Sequence, residues 1–486
     1  MDQEQQYKQL FVGGDLSGIQ KFLYNISSKK AAVSLKGRSY FLQQYMENVC
    51  TGLMDVTKKA GAQHSTDIYC SGGKFYVVTD YSLEITTAID QYTSKVTFDL
   101  WHEHRGQLGI NISYVPFTEN PDGTVDCDGK THLKPGYLWK VVNADFFRQK
   151  NQKFKEQLTS SFSSFFNPIP VGHKTRVCAI TGIESDDCVP YKLNDEGETY
   201  VLPSVLKQIQ LGESLRNTEH FKTFEDYAGN TNLGILRMDV DGLGKRFIDG
   251  FDSIDAYTNF SNRLVDFFDK GLKHFLSGYR EHLNIIYSGG DDLFIVGRWD
   301  KVIEFAEIIH TNIATYFQNE GISISGGVAI VQPAFPISKA AQLAGEAEDA
   351  AKQFRNGEKN AFHFLGRTVS WNEEFNYVRS FKDQFVFLIN DYGLSKSILH
   401  KLMLYASIAE QNEVRRREGK AEDFSYVWHI SYYLTRYIER YKSNETISIF
   451  CRSLRDKELT FNNGRKLQLI ALAARWAELL LKDKIY

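Results

Sequence analysis

An internal duplication constrains the fold of this chain more than any other feature. Three short segments recur in the same order, about 220 residues apart, and the second set repeats the apolar and glycine pattern of the first. Three matches in one order indicate two copies of one domain, with room for an insert between them. The matched pairs are residues 14–18 with 238–242, 67–78 with 284–295, and 109–113 with 321–325.

The sequence pattern of each copy predicts secondary-structure elements in the order strand, helix, strand, strand, helix, strand. In the second copy, a strand over 233–240 precedes a helix whose apolar residues keep helical spacing from Phe260 to Phe275. A hairpin that turns through 288–290 follows the helix. This order is the ferredoxin-like pattern, so we predict an α+β protein with two ferredoxin-like domains. The remaining expected elements are a helix over 301–317, a strand over 322–331, a helix near 337–354, and a largely helical segment over 380–486.

The composition fits a globular protein of several domains. The 486 residues include 57 basic and 60 acidic ones, for a formal net charge of −3, and 42% of them are hydrophobic. The chain contains no apolar stretch of membrane-spanning length, and its N-terminus lacks a signal-peptide pattern. We therefore expect a cytoplasmic protein that does not enter a membrane and whose six cysteines are free thiols.

Four acidic residues of the second copy predict a metal-dependent site. Asp239 and Asp241 end the first strand of that copy, and Asp291 and Asp292 lie at the Gly-Gly hairpin turn. Neighbouring strands bring these carboxylates together, and hard oxygen ligands suit Mg²⁺ or Mn²⁺. Two such ions activate an attacking hydroxyl and stabilise a leaving pyrophosphate. The alternative is an ordinary Gly-Asp turn, which leaves the acids of the first strand unexplained.

Further residues are expected to contact a nucleotide. In the second copy these are Ser288, Gly289 and Gly290, because glycines let phosphate and base approach the backbone closely. Lys352 follows an Ala-rich helix and would reach a triphosphate; otherwise it is a solvated lysine at a helix end.

The first copy lacks most of the acidic set. We align Lys74 and Phe75 with Asp291 and Asp292, and Ser17 with Asp241. This copy is then a nucleotide-binding domain without catalysis, or else a purely structural pseudo-domain. The first-copy residues expected at a nucleotide are Asp15, Ser17, Gly72 and Gly73.

Zinc is not expected. Cys178 and Cys188 lie in the segment between the copies without a CxxC pair, and a zinc site needs four ligands. We place His102 and His104 at the surface on a strand edge.

Four motifs together resemble the large, palm-containing Cas subunit of type III CRISPR effector complexes, of the Csm type. The resemblance implies two palm domains, a small linker domain like the remnant of a zinc ribbon, and a helical C-terminal domain. It implies that the Gly-Gly-Asp-Asp palm polymerises ATP into cyclic oligoadenylate once target RNA is bound. It also implies assembly with a guide RNA and with guide-end-capping, backbone and small helical Cas subunits. The motifs are residues 15–20 (DLSGIQ), 35–39 (LKGRS), 238–245 (MDVDGLGK) and 287–294 (YSGGDDLF), and the implied domains are 1–158, 159–228, 229–372 and 373–486.

The chain departs from the family pattern in ways that leave alternatives open. It contains no His-Asp dipeptide, so we expect no HD nuclease activity. Some HD-less relatives join ATP to S-adenosylmethionine. Asp67, which we align with Asn284, would then pair with the ammonium group of S-adenosylmethionine; otherwise it only caps the start of the strand. A non-catalytic scaffold is a further alternative, against which the intact acidic set argues. A stand-alone cyclase of the same superfamily is another alternative, and the tandem palms and the helical tail argue against it. We expect the arginine cluster at 415–417 in that tail to contact other subunits or RNA phosphates.

Overall fold

The computed structural model describes two compact units. It covers residues 7–27, 30–160, 162, 175–192, 198–318, 320–459 and 464–485. One unit comprises Met1–Ser323 with Val331–Ala344, and the other comprises Ile324–Ile330 with Gly345–Tyr486. The four-domain division stays a prediction, because the two units do not test its boundaries.

The first copy forms a six-stranded sheet in the order β2-β3-β1-β4-β5-β6. Strand β1 is buried along almost its whole length and pairs antiparallel with both β3 and β4. Helix α3 begins after Ser82, whose hydroxyl accepts a hydrogen bond from the backbone of Ile85. The elements are β1 (Gln9–Ser17), α1 (Ile19–Tyr24), α2 (Ala31–Lys59), β2 (Ser65–Ser71), β3 (Lys74–Asp80), α3 (Leu83–His104), β4 (Gly109–Glu119), β5 (Val125–Cys127), β6 (Lys130–His132), α4 (Gly136–Lys150) and α5 (Lys155–Ser160).

The placement of the two histidines was wrong. His102 and His104 lie in the last turn of α3, not on a strand edge, and His104 is buried. Burial, together with the charges of Arg38 and Lys207, lowers the pKa of His104 to about 4.

The segment between the copies holds two small two-stranded sheets and a long helix. The buried Cys178 and the half-buried Cys188 lie here as free thiols. The connector expected over 159–164 and 168–170 falls largely outside the described residues. The elements are β7 (Arg176–Val177), β8 (Glu184–Ser185), β9 (Val189–Tyr191), β10 (Thr199–Val201), α6 (Pro203–Glu219) and α7 (Phe224–Ala228).

The second copy begins at β11 (Leu233–Val240), the span that the sequence predicts. Strand β13 pairs antiparallel with β11 on one side and with β12 on the other. The predicted helix through Phe260 and Phe275 is interrupted by a π-helical turn, Phe267–Gly271, which helical periodicity alone does not reveal. The elements are α8 (Leu243–Asp249), α9 (Ile254–Asp266), α10 (Leu272–Leu276), β12 (Leu283–Gly289), β13 (Asp292–Arg298) and α11 (Trp299–Tyr316).

The two copies contact each other through equivalent elements. Helix α2 of the first copy packs on β12, the edge strand of the second, and α9 of the second copy packs on β2, the edge strand of the first. Both hairpins also carry the same irregularity: pairing shifts between Asp67 and Tyr69 in one and between Ile285 and Tyr287 in the other. The shared bulge supports the duplication, because such irregularities are specific structural features.

The remaining elements include a short mixed set of strands and the C-terminal helices. Strands β14 and β15 are parallel, and β15 and β16 are antiparallel. Helix α18 is buried along nearly its whole length, between α14 and α15. No helix in the described ranges is long and apolar enough to span a membrane. The elements are β14 (Ile324–Val331), α12 (Ile337–Lys352), α13 (Phe354–Gly357), β15 (Ala361–Phe364), β16 (Arg367–Ser370), α14 (Asn376–Tyr392), α15 (Ser397–Arg417), α16 (Ser425–Arg440), α17 (Glu445–Ser453) and α18 (Gly464–Asp483).

Candidate active site

Three of the four predicted carboxylates converge. Asp239 on β11 lies directly across from Asp292, the first residue of β13. Asp291 precedes Asp292 in the turn of the β12–β13 hairpin. One carboxylate oxygen of each residue lies within 4.8 Å of the others, and all three residues are half-buried. Three carboxylates this close repel one another unless a cation neutralises them, and their hard oxygens suit Mg²⁺ or Mn²⁺.

The turn itself fixes the position of Asp291. Gly290 has a φ of 67°, a left-handed conformation that glycine adopts without strain. The Asp291 amide donates to the Gly289 carbonyl at 2.8 Å, and the Asp291 carbonyl accepts from the amide of Val240 at 3.3 Å. The backbone therefore holds the acidic turn against the end of β11.

Asp241 is not part of this cluster. Its Oδ2 accepts a hydrogen bond of 2.7 Å from the Ser323 hydroxyl, and its amide donates to the Ser323 carbonyl at 2.9 Å. Metal binding by Asp241 stays a prediction.

Two tyrosines, the buried Tyr69 and the half-buried Tyr287, lie beside the glycines of the catalytic hairpin and were not found from the sequence. A Cβ added at Gly290 would lie 1.9 Å from the Tyr69 hydroxyl, and one at Gly289 would lie 2.2 Å from the Tyr287 hydroxyl. Burial and then the charge of Asp291 raise the pKa of Tyr69, and burial with the charges of Asp292 and Asp291 raises that of Tyr287. Both phenols therefore stay protonated beside the carboxylates. The signal for them was available, since a tyrosine occupies the same place in each hairpin.

Strand pairing corrects the alignment of the two hairpins. Asp15 lies across from Lys74 as Asp239 lies across from Asp292, so Lys74 occupies the place of Asp292. Each turn has two residues, which places Gly73 at the position of Asp291. The expectation that Lys74 and Phe75 replace the acidic pair was therefore wrong by one residue. An ungapped comparison aligns the glycine pairs, whereas the sheet aligns the strands.

The same correction applies to Asp67. It pairs with Val77 as Ile285 pairs with Ile295, so its counterpart is Ile285 and not Asn284. Asp67 is exposed on β2. Its role toward S-adenosylmethionine stays a prediction that this geometry does not favour.

A lysine neutralises the surviving acid of the first copy. Asp15 is buried, and the Lys150 ammonium lies 2.7 Å from its Oδ2. Ser17 donates to the carbonyl of Gly109 at 3.0 Å, within its own sheet. Gly72 and Gly73 both have left-handed backbone conformations. The first copy thus carries a tethered cation at the residue that corresponds to Asp239.

A cavity of about 490 Å³ lies between the copies, beside the two turns. Its wall includes Ser71, Gly72 and Gly73 of the first hairpin and Ser288 and Gly289 of the second. The Ser288 hydroxyl donates to the Phe268 carbonyl in the π-helical turn at 2.9 Å. The turns also touch each other, because a Cβ added at Gly72 would lie 2.5 Å from the Gly289 carbonyl oxygen. The cavity is large enough for a small organic ligand.

Lys352 belongs to the other unit. Its ammonium lies 2.6 Å from Glu348, one helical turn away. A role at a triphosphate stays a prediction.

Comparison with known proteins agrees with this architecture. A family model for the Cas10/Cmr2 second palm domain matches residues 232–363, and one for Csm1 subunit domain B matches residues 8–168. Both models describe domains of Cas10-type proteins, and together they cover the first copy and most of the second. The matched segments contain the acidic hairpin in one case and the first copy in the other.

Relatives described as CRISPR system single-strand-specific deoxyribonuclease Cas10/Csm1 (subtype III-A) share moderate identity. The protein of Enterococcus italicus is 28% identical over 425 residues, covering 75% of this chain and 54% of the relative. That of Streptococcus thermophilus is 23% identical over 488 residues, covering 88% and 62%. The chain thus spans between about half and three fifths of the length of these two relatives.

Solved structures show the same fold. The chain resembles the crystal structure of an apo Csm1–Csm4 cassette with a TM-score of 0.69 at 17% identity, covering 98% of this chain and 70% of that one. It resembles the cassette in complex with cA4 with a TM-score of 0.63 at 18% identity, covering 96% and 70%.

Proposed function

We propose that the protein is a nucleotidyltransferase that converts ATP to cyclic oligoadenylate within a type III CRISPR complex activated by target RNA. The observation that carries the proposal is the convergence of Asp239, Asp291 and Asp292 at one glycine turn. Similar structures bind one ATP in one case and cA4 in another, which supports ATP as the substrate.

The chain's residues divide the work of the reaction. The three carboxylates would hold Mg²⁺ or Mn²⁺, which supply charge neutralisation at the triphosphate and lower the pKa of the acceptor hydroxyl. The 3′-oxygen of the acceptor forms a bond to the α-phosphorus of ATP, and the bond between that phosphorus and the bridging oxygen breaks. Pyrophosphate leaves, and the hydroxyl proton passes to solvent. Tyr69 and Tyr287, held neutral, pack against the glycines of the catalytic hairpin.

The first copy would supply the acceptor side. Its turn touches the catalytic turn, and the cavity between the copies opens beside both. With a lysine where the second copy has Asp292, this copy would bind a nucleotide without a metal-binding set of its own. Csm4 is the partner in the similar cassettes, so we propose a guide-end-capping subunit of that type, and with it guide and target RNA, as partners here. The absence of HD nuclease activity stays a prediction.

The test is product identification by mass spectrometry. The protein, alone and in its RNA-guided complex with target RNA, is incubated with ATP and Mg²⁺, with and without S-adenosylmethionine. We expect cyclic oligoadenylates from the complex, their loss in Asp291→Asn/Asp292→Asn and Asp239→Asn, and their retention in Asp249→Asn, an exposed acid on α8.

Other outcomes identify the alternatives. A product with the mass of S-adenosylmethionine plus AMP would replace the cyclase proposal with the conjugating one. If no product depends on the acidic cluster, even with target RNA bound, the protein is a scaffold.

A further inference from the structure

The LKGRS segment at 35–39 lies at the start of α2, outside the acidic cluster, yet it is built into three parts of the first unit. Gly37 faces the linker helix α6 so closely that a Cβ would lie 1.9 Å from the Gln208 carbonyl oxygen. Arg38 is fully buried, and its guanidinium donates to the Phe22 carbonyl at 2.6 Å, near the end of α1. These residues hold α2 in one position relative to α1 and α6.

Lys36 extends this contact to the second copy. Its ammonium donates a hydrogen bond of 2.8 Å to the backbone carbonyl of Ile285 and lies 3.0 Å from the Glu219 carboxylate at the end of α6. The side chain is only 16% exposed. Burial lowers the pKa of the Lys36 ammonium, an effect that Glu219 opposes. The half-buried Lys36 ammonium therefore has a backbone carbonyl of the second copy and the Glu219 carboxylate as partners.

The position of that carbonyl matters for the catalytic turn. Ile285 lies on β12, the edge strand, where its outward polar groups have no further strand to pair with. It is also the residue at which the pairing of β12 with β13 shifts. The strand ends at Gly289, and Asp291 follows in the turn. A bond at the bulge therefore constrains the direction in which the last residues of β12 enter the catalytic turn.

We propose that Lys36 is a positioning residue that holds the β12 bulge, and through it the acidic hairpin, in the geometry needed for nucleotidyl transfer. The proposal rests on the proposed function, since it concerns the rate of that reaction. A misplacement of the order of 1 Å in a reacting geometry reduces turnover by about 100-fold. Lys36 also lines the cavity, so direct binding of substrate is the competing role, and kinetics separate the two.

The chain offers a matched control. Lys30 precedes α2 by one residue and pairs with Glu213 of α6 at 2.7 Å, the same chemistry between the same two helices, but its two side-chain hydrogen bonds go to Glu213 and Tyr191 and not to β12. Lys36→Met, Lys36→Arg and Lys30→Met are assembled into the RNA-guided complex and assayed with ATP, Mg²⁺ and target RNA. Hydrogen exchange of the β12 peptide, residues 283–289, is measured on the same samples.

We expect Lys36→Met to lower kcat by about 10- to 100-fold with the KM for ATP changed less than about threefold. Exchange of the β12 peptide should rise. Lys36→Arg, which keeps a donor, should recover most of the rate, and Lys30→Met should keep both the wild-type rate and the wild-type exchange. If Lys36→Met does not assemble, Glu219→Gln is the second variant, because it removes the charge link to α6 and leaves the bond to Ile285. The proposal predicts a near-wild-type kcat for Glu219→Gln, and a large loss of kcat would assign the effect to the link with α6.

Several results would overturn the proposal. They are a raised KM at unchanged kcat, an equal loss in Lys30→Met, or unchanged exchange of the β12 peptide with full activity in Lys36→Met. An inactive wild-type complex would instead contradict the proposed function, and the exchange measurement would then still report whether Lys36 holds the strand.

Discussion

Removing Lys150 should destabilise the first copy through the acid it leaves behind. The Asp15 side chain is 4% exposed, whereas that of Lys150 is 43% exposed. The Lys150→Met variant therefore leaves a buried carboxylate without its cation. Removing one partner of a fully buried pair costs about 3–5 kcal/mol, and an exposed pair is worth about 0–1 kcal/mol. Because solvent screens the exposed lysine, we expect a loss between these limits, about 2 kcal/mol.

Native-state hydrogen exchange measures this loss locally. A stability loss of about 2 kcal/mol should make the local opening of β1 and β3 about 30-fold more frequent, because about 1.4 kcal/mol corresponds to a factor of ten in the opening equilibrium. Lys140→Met is the control, because Lys140 is an exposed lysine on the same helix. Asp15→Asn combined with Lys150→Met should be less destabilised than Lys150→Met alone, since the neutral amide needs no cation.

The pair has no stabilising role in this copy if Lys150→Met and Lys140→Met exchange alike. An equal loss in the single and the double variant would attribute the effect to lost packing of the lysine stem and refute the electrostatic argument.

Three further predictions concern other sites. Asp291→Asn should reduce product formation at least about 100-fold and weaken Mn²⁺ binding, which electron paramagnetic resonance measures, because the cluster loses a charged ligand. Gly290→Ala should cost about 2 kcal/mol in the free energy of unfolding, through its left-handed φ and the Tyr69 hydroxyl, and adding Tyr69→Phe should recover part of it in urea titrations. His104 has its pKa lowered from 6.5 to about 4, so the unfolded chain binds more protons between these values. Stability should therefore fall by up to about 3 kcal/mol as the pH drops through that window, and the fall should be smaller in His104→Gln.

Much of the fold could be predicted because it follows from short-range pattern. The strand over 233–240 was predicted to the residue, and the following hairpin and helices agree within a few residues. The acidic cluster could be predicted for the same reason, since two motifs at strand ends specify where their carboxylates lie. The π-helical turn Phe267–Gly271 and the contact of Lys36 with Ile285 could not, because both depend on packing between segments distant in sequence.

The alignment of the two copies failed for an instructive reason. Identical letters favour pairing Gly72 and Gly73 with Gly289 and Gly290, but backbone hydrogen bonds follow the strands and not the letters. A slip of one residue changes which side chain faces the site, so it changes the chemistry assigned to the first copy.

The corrected register explains why the first copy lacks the three candidate metal-binding carboxylates of the second copy. The three clustered carboxylates of the second copy are a candidate site for divalent cations. In the first copy, glycine replaces one of these acids and Lys74 replaces another, while Lys150 pairs with the third, Asp15. A site that carries its own counter-charge has no electrostatic reason to recruit a divalent ion. We therefore expect the metal requirement of the protein to belong to the second copy, and the first copy to present lysine charge to whatever anion occupies the space between them.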